Sequence, residues 1–214
     1  MNETDKTDWT GATVALTCGS IILLFSLGIR HTFGLFLQPI TLDQGWGRET
    51  FALSIAIQNL VWGFSQPIAG MIADRVGAKA IVAIGALCYG FGLWTMSHVT
   101  EELLFILSSG VLIGLGLSGT TFPVIFGAIS RLVSPEKRSL AMGLTMSVGS
   151  FGQFALLPLS LWLITWLDWQ GALTVFSILA LTMLFLGFGI RSSSIQMSQE
   201  TVEFSPVKAL RDSL

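Results

Sequence analysis

A chain of 214 residues that is 52% hydrophobic and only 11% charged departs from an ordinary soluble domain, which is about one quarter charged. No soluble fold of this length hides so much apolar surface, so lipid is the expected solvent. A formal net charge of −2 gives no basis for nucleic-acid binding.

Residues 1–11 are polar and acidic. They lack the basic start and short apolar core of a cleavable signal peptide, and are expected to form a cytoplasmic N-terminal tail. Hydrophobic runs then follow over 12–40, 50–73, 80–98, 103–132, 139–167 and 170–190. A spanning helix needs about 20 mainly apolar residues, and backbone amides in hydrocarbon must be bonded within a helix or a closed barrel. Runs of this length without two-residue alternation predict helices. The expected fold class is an all-α integral membrane protein, a bundle of six transmembrane helices over 12–190. Its short connections make consecutive helices antiparallel neighbours. Cys18 and Cys88 fall inside apolar runs as small buried hydrophobes, with neither a disulfide nor a metal site expected. Residues 191–214 turn polar and Ser-rich. They are expected to be cytoplasmic with little fixed structure, and their last stretch, SPVKALRDSL, could begin a short amphipathic helix.

Cytoplasmic loops carry the excess of Lys and Arg. With the N-terminus inside, Lys6, Arg75, Lys79, Arg131, Lys137, Arg138, Arg191, Lys208 and Arg211 are cytoplasmic, Arg48 alone is in an external loop, and Arg30 lies within a span. Both ends are therefore expected in the cytoplasm, in a membrane of the bacterial inner type. Trp9, Trp46, Trp94, Trp166 and Trp169 fall near the ends of runs, as interfacial anchors do.

Between the second and third runs lies GMIADRVGAK, starting at Gly70. It resembles the loop signature of the major facilitator superfamily, G-x-x-x-D-R-x-G-R-[KR], matching at Gly70, Asp74, Arg75, Gly77 and Lys79 and departing at Ala78. Gly70 permits close helix approach, Gly77 a tight turn, and Asp74 can accept from Arg or face a helix N-terminus. The stretch SPEKRSLAMG from Ser134 enters the fifth run as that family's loop four–five does. The resemblance implies one half of a twelve-helix fold, the N-terminal one. It also implies a cytoplasmic gate to which Gly70, Asp74, Arg75, Gly77, Lys79 and Arg138 belong, with Asp74 and Arg138 helping to close it. In this reading 191–214 begins the central loop of a truncated chain, and the missing C-terminal half or a second copy completes the carrier. The plainer alternative is that these residues only satisfy topology and cap helices.

Charges inside a membrane are costly and usually functional. Apart from Arg131 at the cytoplasmic end of the fourth, the six runs hold no Asp or Glu and one Arg, Arg30, about 15 Å from the outer end of its span at 1.5 Å per residue. Helical spacing places Ser26, Arg30, Gly34 and Gln38 on one face, and turns His31 toward Leu24, Leu27 and Leu35. Gln58, Asn59 and Gln153 lie at similar depth, as do Thr120 and Thr121 after the glycines of the fourth run. The family's cavity is lined by spans one, two, four and five, so Arg30, His31, Gln58, Asn59, Thr121 and Gln153 are the candidate substrate-binding residues. A cation without an acid to neutralise it favours an anionic substrate, and Arg suits carboxylate because its planar fork donates twice. FSLGIRHTFGLFLQPI is similar to span one of the monocarboxylate-transporter and oxalate/formate-antiporter group. The reading is a secondary carrier of small organic anions, without cofactor, and not an enzyme. Its rivals are a carrier of neutral or amphipathic compounds, and a non-transporting remnant or assembly partner. Arg30 could equally snorkel to the interface or pair with an acid elsewhere, and the amides could be interhelical glue.

Overall fold

The computed structural model describes residues 3–190, with side chains from Ala12 onward; the C-terminal stretch 191–214 and the side chains of Lys6 and Trp9 lie outside it. Among the described residues the structure is all helix: α1 (Glu3–His31), α2 (Phe33–Gln44), α3 (Arg48–Val76), α4 (Ala78–His98), α5 (Glu102–Ile106), a π-helical turn (Leu107–Leu112), α6 (Ile113–Thr120), α7 (Phe122–Leu132), α8 (Pro135–Leu186) and a closing 3-10 turn (Gly187–Gly189). Helix α1 begins at Glu3, so residues of the expected tail are already helical.

Four stretches are long and apolar enough to cross a membrane: Ala12–His31, Ala78–His98, Glu102–Leu132 and Pro135–Gly189. Helix α3 falls short of that composition because it carries Gln58, Asn59 and Gln66 within its apolar length. The last stretch, at 55 residues, would run about 80 Å if straight, against a hydrocarbon core of about 30 Å. It does not run straight. Asp168 has φ 58° and ψ 177°, outside the helical region, and the chain reverses there. Before the break, Gly152 packs on Gly28. At the break, Trp169 reaches Asp43 at 3.1 Å. After it, Phe176 meets Phe36 and Gly189 lies against Cys18. The two arms of α8 are an antiparallel hairpin laid along α1 and α2.

Two expected rods are broken, and local chemistry explains both. Thr32 ends α1 with a tight turn, its amide and its hydroxyl both donating to the Ile29 carbonyl at 3.1 and 2.8 Å. In the fourth rod, Pro123 lacks the N–H that a continuous helix would offer the Gly119 carbonyl. The chain goes extended at Thr121 (φ −117°, ψ −159°) and restarts with the proline in the first turn of α7, where it is tolerated.

Large side chains such as Tyr89, Phe36, Phe105 and Phe176 fill the middle of the bundle, fully buried. Between helices the contacts are backbone-close, as expected where lipid supplies no hydrophobic drive and small residues must let helices touch. A Cβ on Gly116 would stand 2.7 Å from Tyr89 Cβ, and one on Gly152 would stand 2.8 Å from Leu24 Cα and collide with the Leu24 carbonyl. Exposed apolar side chains such as Phe64, Phe91, Phe154, Trp166 and Phe185 cover the outside. Trp169 differs from the expected interfacial anchor: it is buried, with its indole N–H on Asp43. One end of the bundle gathers Asp43, Glu49, Glu101, Glu102 and Asp168 with Arg48. The other gathers Arg75, Lys79, Arg131, Lys137 and Arg138 with Asp74 and Glu136.

Substituting Gly152→Ala should destabilise the bundle by about 1–3 kcal/mol, the cost of overpacking a tight contact. Gly143→Ala, whose new methyl meets nothing within 4 Å, should shift stability by about 1 kcal/mol or less. Thermal unfolding in detergent, followed by tryptophan fluorescence, separates the two.

Candidate functional site

Arg30 closes α1 one residue before its last position, beside the Thr32 turn. Its Nη2 donates to Asn59 Oδ1 at 2.6 Å, and its guanidinium carbon lies 5.7 Å from the Trp62 ring centroid, within the range of a cation–π contact. Its Nε is buried without an acceptor. The Trp62 indole N–H donates to Thr121 Oγ1 at 3.1 Å, and Gln66 Nε2 donates to the same oxygen at 3.2 Å. That hydroxyl in turn donates to the Leu117 carbonyl at 2.6 Å. Asn59, Trp62 and Gln66 follow one another at helical spacing on one face of α3. Behind Arg30 a second layer is fully buried: Tyr89 Oη donates to the Ser26 carbonyl at 3.0 Å, and the Ser26 and Thr120 hydroxyls lie 2.7 Å apart.

Arg30, Asn59 and Thr121 thus form one connected cluster. The other candidates lie elsewhere. Gln58 is buried on the neighbouring face of α3, donating through Nε2 to the Ser109 carbonyl at 2.8 Å with its Oε1 unpartnered. It joins α3 to the π-helical turn, a wider turn that Ser108 and Ser109 reinforce by bonding back to Phe105. Gln153 is half-buried on α8 beside Gly152 and makes no hydrogen bond to Arg30. His31 is exposed, as are Gly34 and Gln38, while Leu27 and Ser26 are buried. His31 is thus exposed at the last position of α1 rather than packed with Leu24 and Leu27, and the Thr32 turn separates it from Leu35. Trp62 and Gln66 were missed; their spacing from Asn59 was the available signal.

At the basic end, Asp74 pairs with Arg131 of α7. Arg138 donates from Nε to the Val133 carbonyl at 3.3 Å, just past the end of α7. Arg75 is exposed, and Lys79 Nζ sits 3.9 Å from the Phe188 ring centroid. Gly77, with φ 97° and ψ 142°, turns α3 into α4 through a region that essentially only glycine occupies. Gly70 approaches Pro123 so closely that a Cβ there would lie 3.2 Å from the proline Cβ. Glu136 opens α8, its carboxyl held below the ordinary range by its own backbone N–H and then by the Ser134 hydroxyl.

Against this geometry, the family model of the Major Facilitator Superfamily matches residues 16–210. The chain belongs to the major facilitator superfamily. It is close to the monocarboxylate transporters: monocarboxylate transporter 13 of Rattus norvegicus is 31% identical over 170 residues, covering 78% of this chain and 39% of the relative. A putative niacin/nicotinamide transporter of Bacillus subtilis is 34% identical, over 55% of this chain and 29% of its own length. The voltage-gated purine nucleotide uniporter of Rattus norvegicus is 28% identical, over 66% and 31%. This chain therefore spans about two fifths or less of the length of these relatives. The family and its named members make this a membrane transporter-family protein rather than an enzyme.

A cleft of about 680 Å³ opens between α4 and the second arm of α8, lined by Leu87, Cys88, Phe91, Trp94, Ile178 and Leu181 among others. None of the Arg30 partners lines it, and its wall is almost wholly apolar. Cys18 and Cys88 are unpaired. Among the described residues no group of His, Cys, Asp and Glu is placed to hold a metal ion.

In this major facilitator loop, Gly77→Ala should destabilise by about 1–3 kcal/mol, because alanine must enter a strained backbone region. Asp74→Asn breaks a pair whose side chains are 59% and 23% exposed, and solvent-screened pairs contribute about 1 kcal/mol or less. Chemical denaturation should therefore register the glycine variant clearly and the aspartate variant only slightly.

Proposed function

We propose that this chain forms the N-terminal-type half of a secondary carrier that moves small organic anions, monocarboxylate-like in character, by alternating access. Six spans over 12–190 make up the bundle, 1–11 is a cytoplasmic tail, and 191–214 leads into a central cytoplasmic loop. The basic end faces the cytoplasm of a bacterial-type inner membrane, as the positive-inside rule requires. A second bundle, from a continuation of the polypeptide or a second copy, completes the cavity at mid-depth between the halves.

The observation that carries the reading is the company Arg30 keeps. Its partners are an amide oxygen and an indole ring, and among the described residues it enters no ion pair. Burying an unpaired charge is expensive unless something neutralises it. A substrate carboxylate supplies that charge on each cycle and is released again, which a permanent acid could not do. Arg30 is the anchor, with Asn59 and Thr121 in its cluster and His31, Gln58 and Gln153 as outlying support. Asp74, Arg75, Gly70, Gly77, Lys79 and Arg138 belong to the cytoplasmic gate, joined there by Arg131.

In the protein encoded by the complete reading frame, Arg30→Ala should reduce uptake of radiolabelled lactate at least about a hundredfold, the effect of losing a bidentate charged contact, while membrane insertion is unchanged. Proteoliposome uptake checks it. Wild-type kinetics in that variant, or inhibition by neutral solutes as strong as by carboxylates, would rule out the anion reading.

A further inference from the structure

We propose that residue 59 sets the charge selectivity of the Arg30 site: as a neutral amide it holds the guanidinium in place without cancelling its charge. This rests on the anion reading above and names the residue that makes it possible.

Three of the guanidinium's features are already committed. Nη2 donates to Asn59 Oδ1 at 2.6 Å, one face lies over Trp62, and Nε is buried with no acceptor. The edge left for a ligand is the Nη1–Nη2 side, next to the Asn59 amide. Residue 59 is exposed and bonded to Nη2, so a carboxylate approaching that edge meets both groups. Asparagine meets it well. Its oxygen steers Nη2, and its NH₂ group can donate to the second carboxylate oxygen. Aspartate has the same shape and reach, and would bond Nη2 more strongly as a charged acceptor. It would then neutralise Arg30 and repel the ligand's own charge. The single difference between the two side chains is the difference between a site with a surplus positive charge and a site with none.

The surroundings supply nothing else that could play this part. The groups facing Arg30 are Asn59 and Trp62 from α3, and Tyr89 from α4 behind it; His31, its neighbour on α1, is exposed. None is an acid. The Trp62 indole N–H is a donor only and is spent on Thr121, so it offers Nη2 no acceptor. Position 59 is therefore where the net charge of the site is decided.

The test compares affinity for benzoate with affinity for its neutral analogue benzamide, measured by calorimetry on the purified protein of the complete reading frame. Wild type should prefer benzoate, and Arg30→Ala should lose the preference. Asn59→Asp should weaken benzoate on the order of a hundredfold, the scale of a like-charge contact, while benzamide changes by about threefold or less. Asn59→Ala should weaken benzoate by about tenfold, one lost hydrogen bond to a charged group, and still prefer the anion. A general loss of structure would lower both ligands together and leave their ratio alone. An Asn59→Asp variant that binds benzoate like wild type, with Arg30→Ala impaired, overturns the role of residue 59 and leaves the anion reading standing. An Asn59→Ala variant that weakens benzoate as much as Asn59→Asp does also overturns it, since the loss would then not come from the added charge. Undiminished benzoate preference in Arg30→Ala overturns the anion reading and this inference with it.

Discussion

Inside hydrocarbon a polar group finds its partners in the protein or not at all, and this one constraint organises both the scaffold and the site. Serine and threonine hydroxyls turn back onto carbonyls of their own helices, as Thr145 does to Ala141 at 2.8 Å and Thr120 to Gly116 at 2.9 Å. Gln58 spends its amide on the Ser109 carbonyl. Each such bond removes a side chain from the set available to a ligand. Among the buried groups left short of a partner, which include Gln58 Oε1 and the Thr95 and Ser160 hydroxyls, Arg30 is the charged one: a guanidinium has five donors and no acceptor, and its neighbours satisfy only part of it. A site arises where the satisfaction is incomplete.

The breaks in the helices follow from the same rule. A helix interrupted in lipid must re-employ the backbone groups it frees, and each interruption here has its replacement on the page. Thr32 folds its own hydroxyl and amide onto Ile29. At Thr121 the side chain, held by Trp62 and Gln66, bonds back to Leu117. Both breaks flank Arg30's cluster, one on its own rod and one on the rod facing it. Irregular backbone at membrane depth is tolerated where protein or a cavity covers it, so the irregularity and the polar cluster belong together.

How much of this was legible in the sequence follows the same division. The apolar runs gave the helices, and the loop from Gly70 to Lys79 led to the family that the match over residues 16–210 establishes. What the runs could not convey was where a helix stops being continuous. The stripe of Ser26, Arg30, Gly34 and Gln38 assumes an unbroken wheel; in the structure Ser26 is buried against Thr120 and Tyr89, while Gly34 and Gln38, beyond the Thr32 turn, are exposed. Gln58 and Asn59 are adjacent, about 100° apart, and nothing in the pattern says which of them faces Arg30 until the π-helical turn offers Gln58 a carbonyl. Charge counting marked Arg131 and Arg138 alike as cytoplasmic, yet only Arg131, on the last turn of α7, ends opposite Asp74.

The site and the loop signature are parts of one structural feature. Asn59, Trp62, Gln66, Gly70 and Asp74 are spaced by three, four, four and four residues, a single ridge along α3. Asn59 and Trp62 hold Arg30; Trp62 and Gln66 hold Thr121 where α7 begins; Gly70 lies against Pro123; Asp74 pairs with Arg131 where α7 ends. Helix α7 is thus fastened to α3 at both ends and near its start by close packing, and the fastening runs without interruption from the guanidinium to the basic end. Trp62 links Arg30 to the Thr121 hydroxyl, and the Asp74–Arg131 pair fastens the far end of α7. That pair is weak and solvent-screened, whereas the Thr121 junction is fully buried. The physical asymmetry makes the Thr121 junction the firmer fastening of α7 and the ion pair the weaker one.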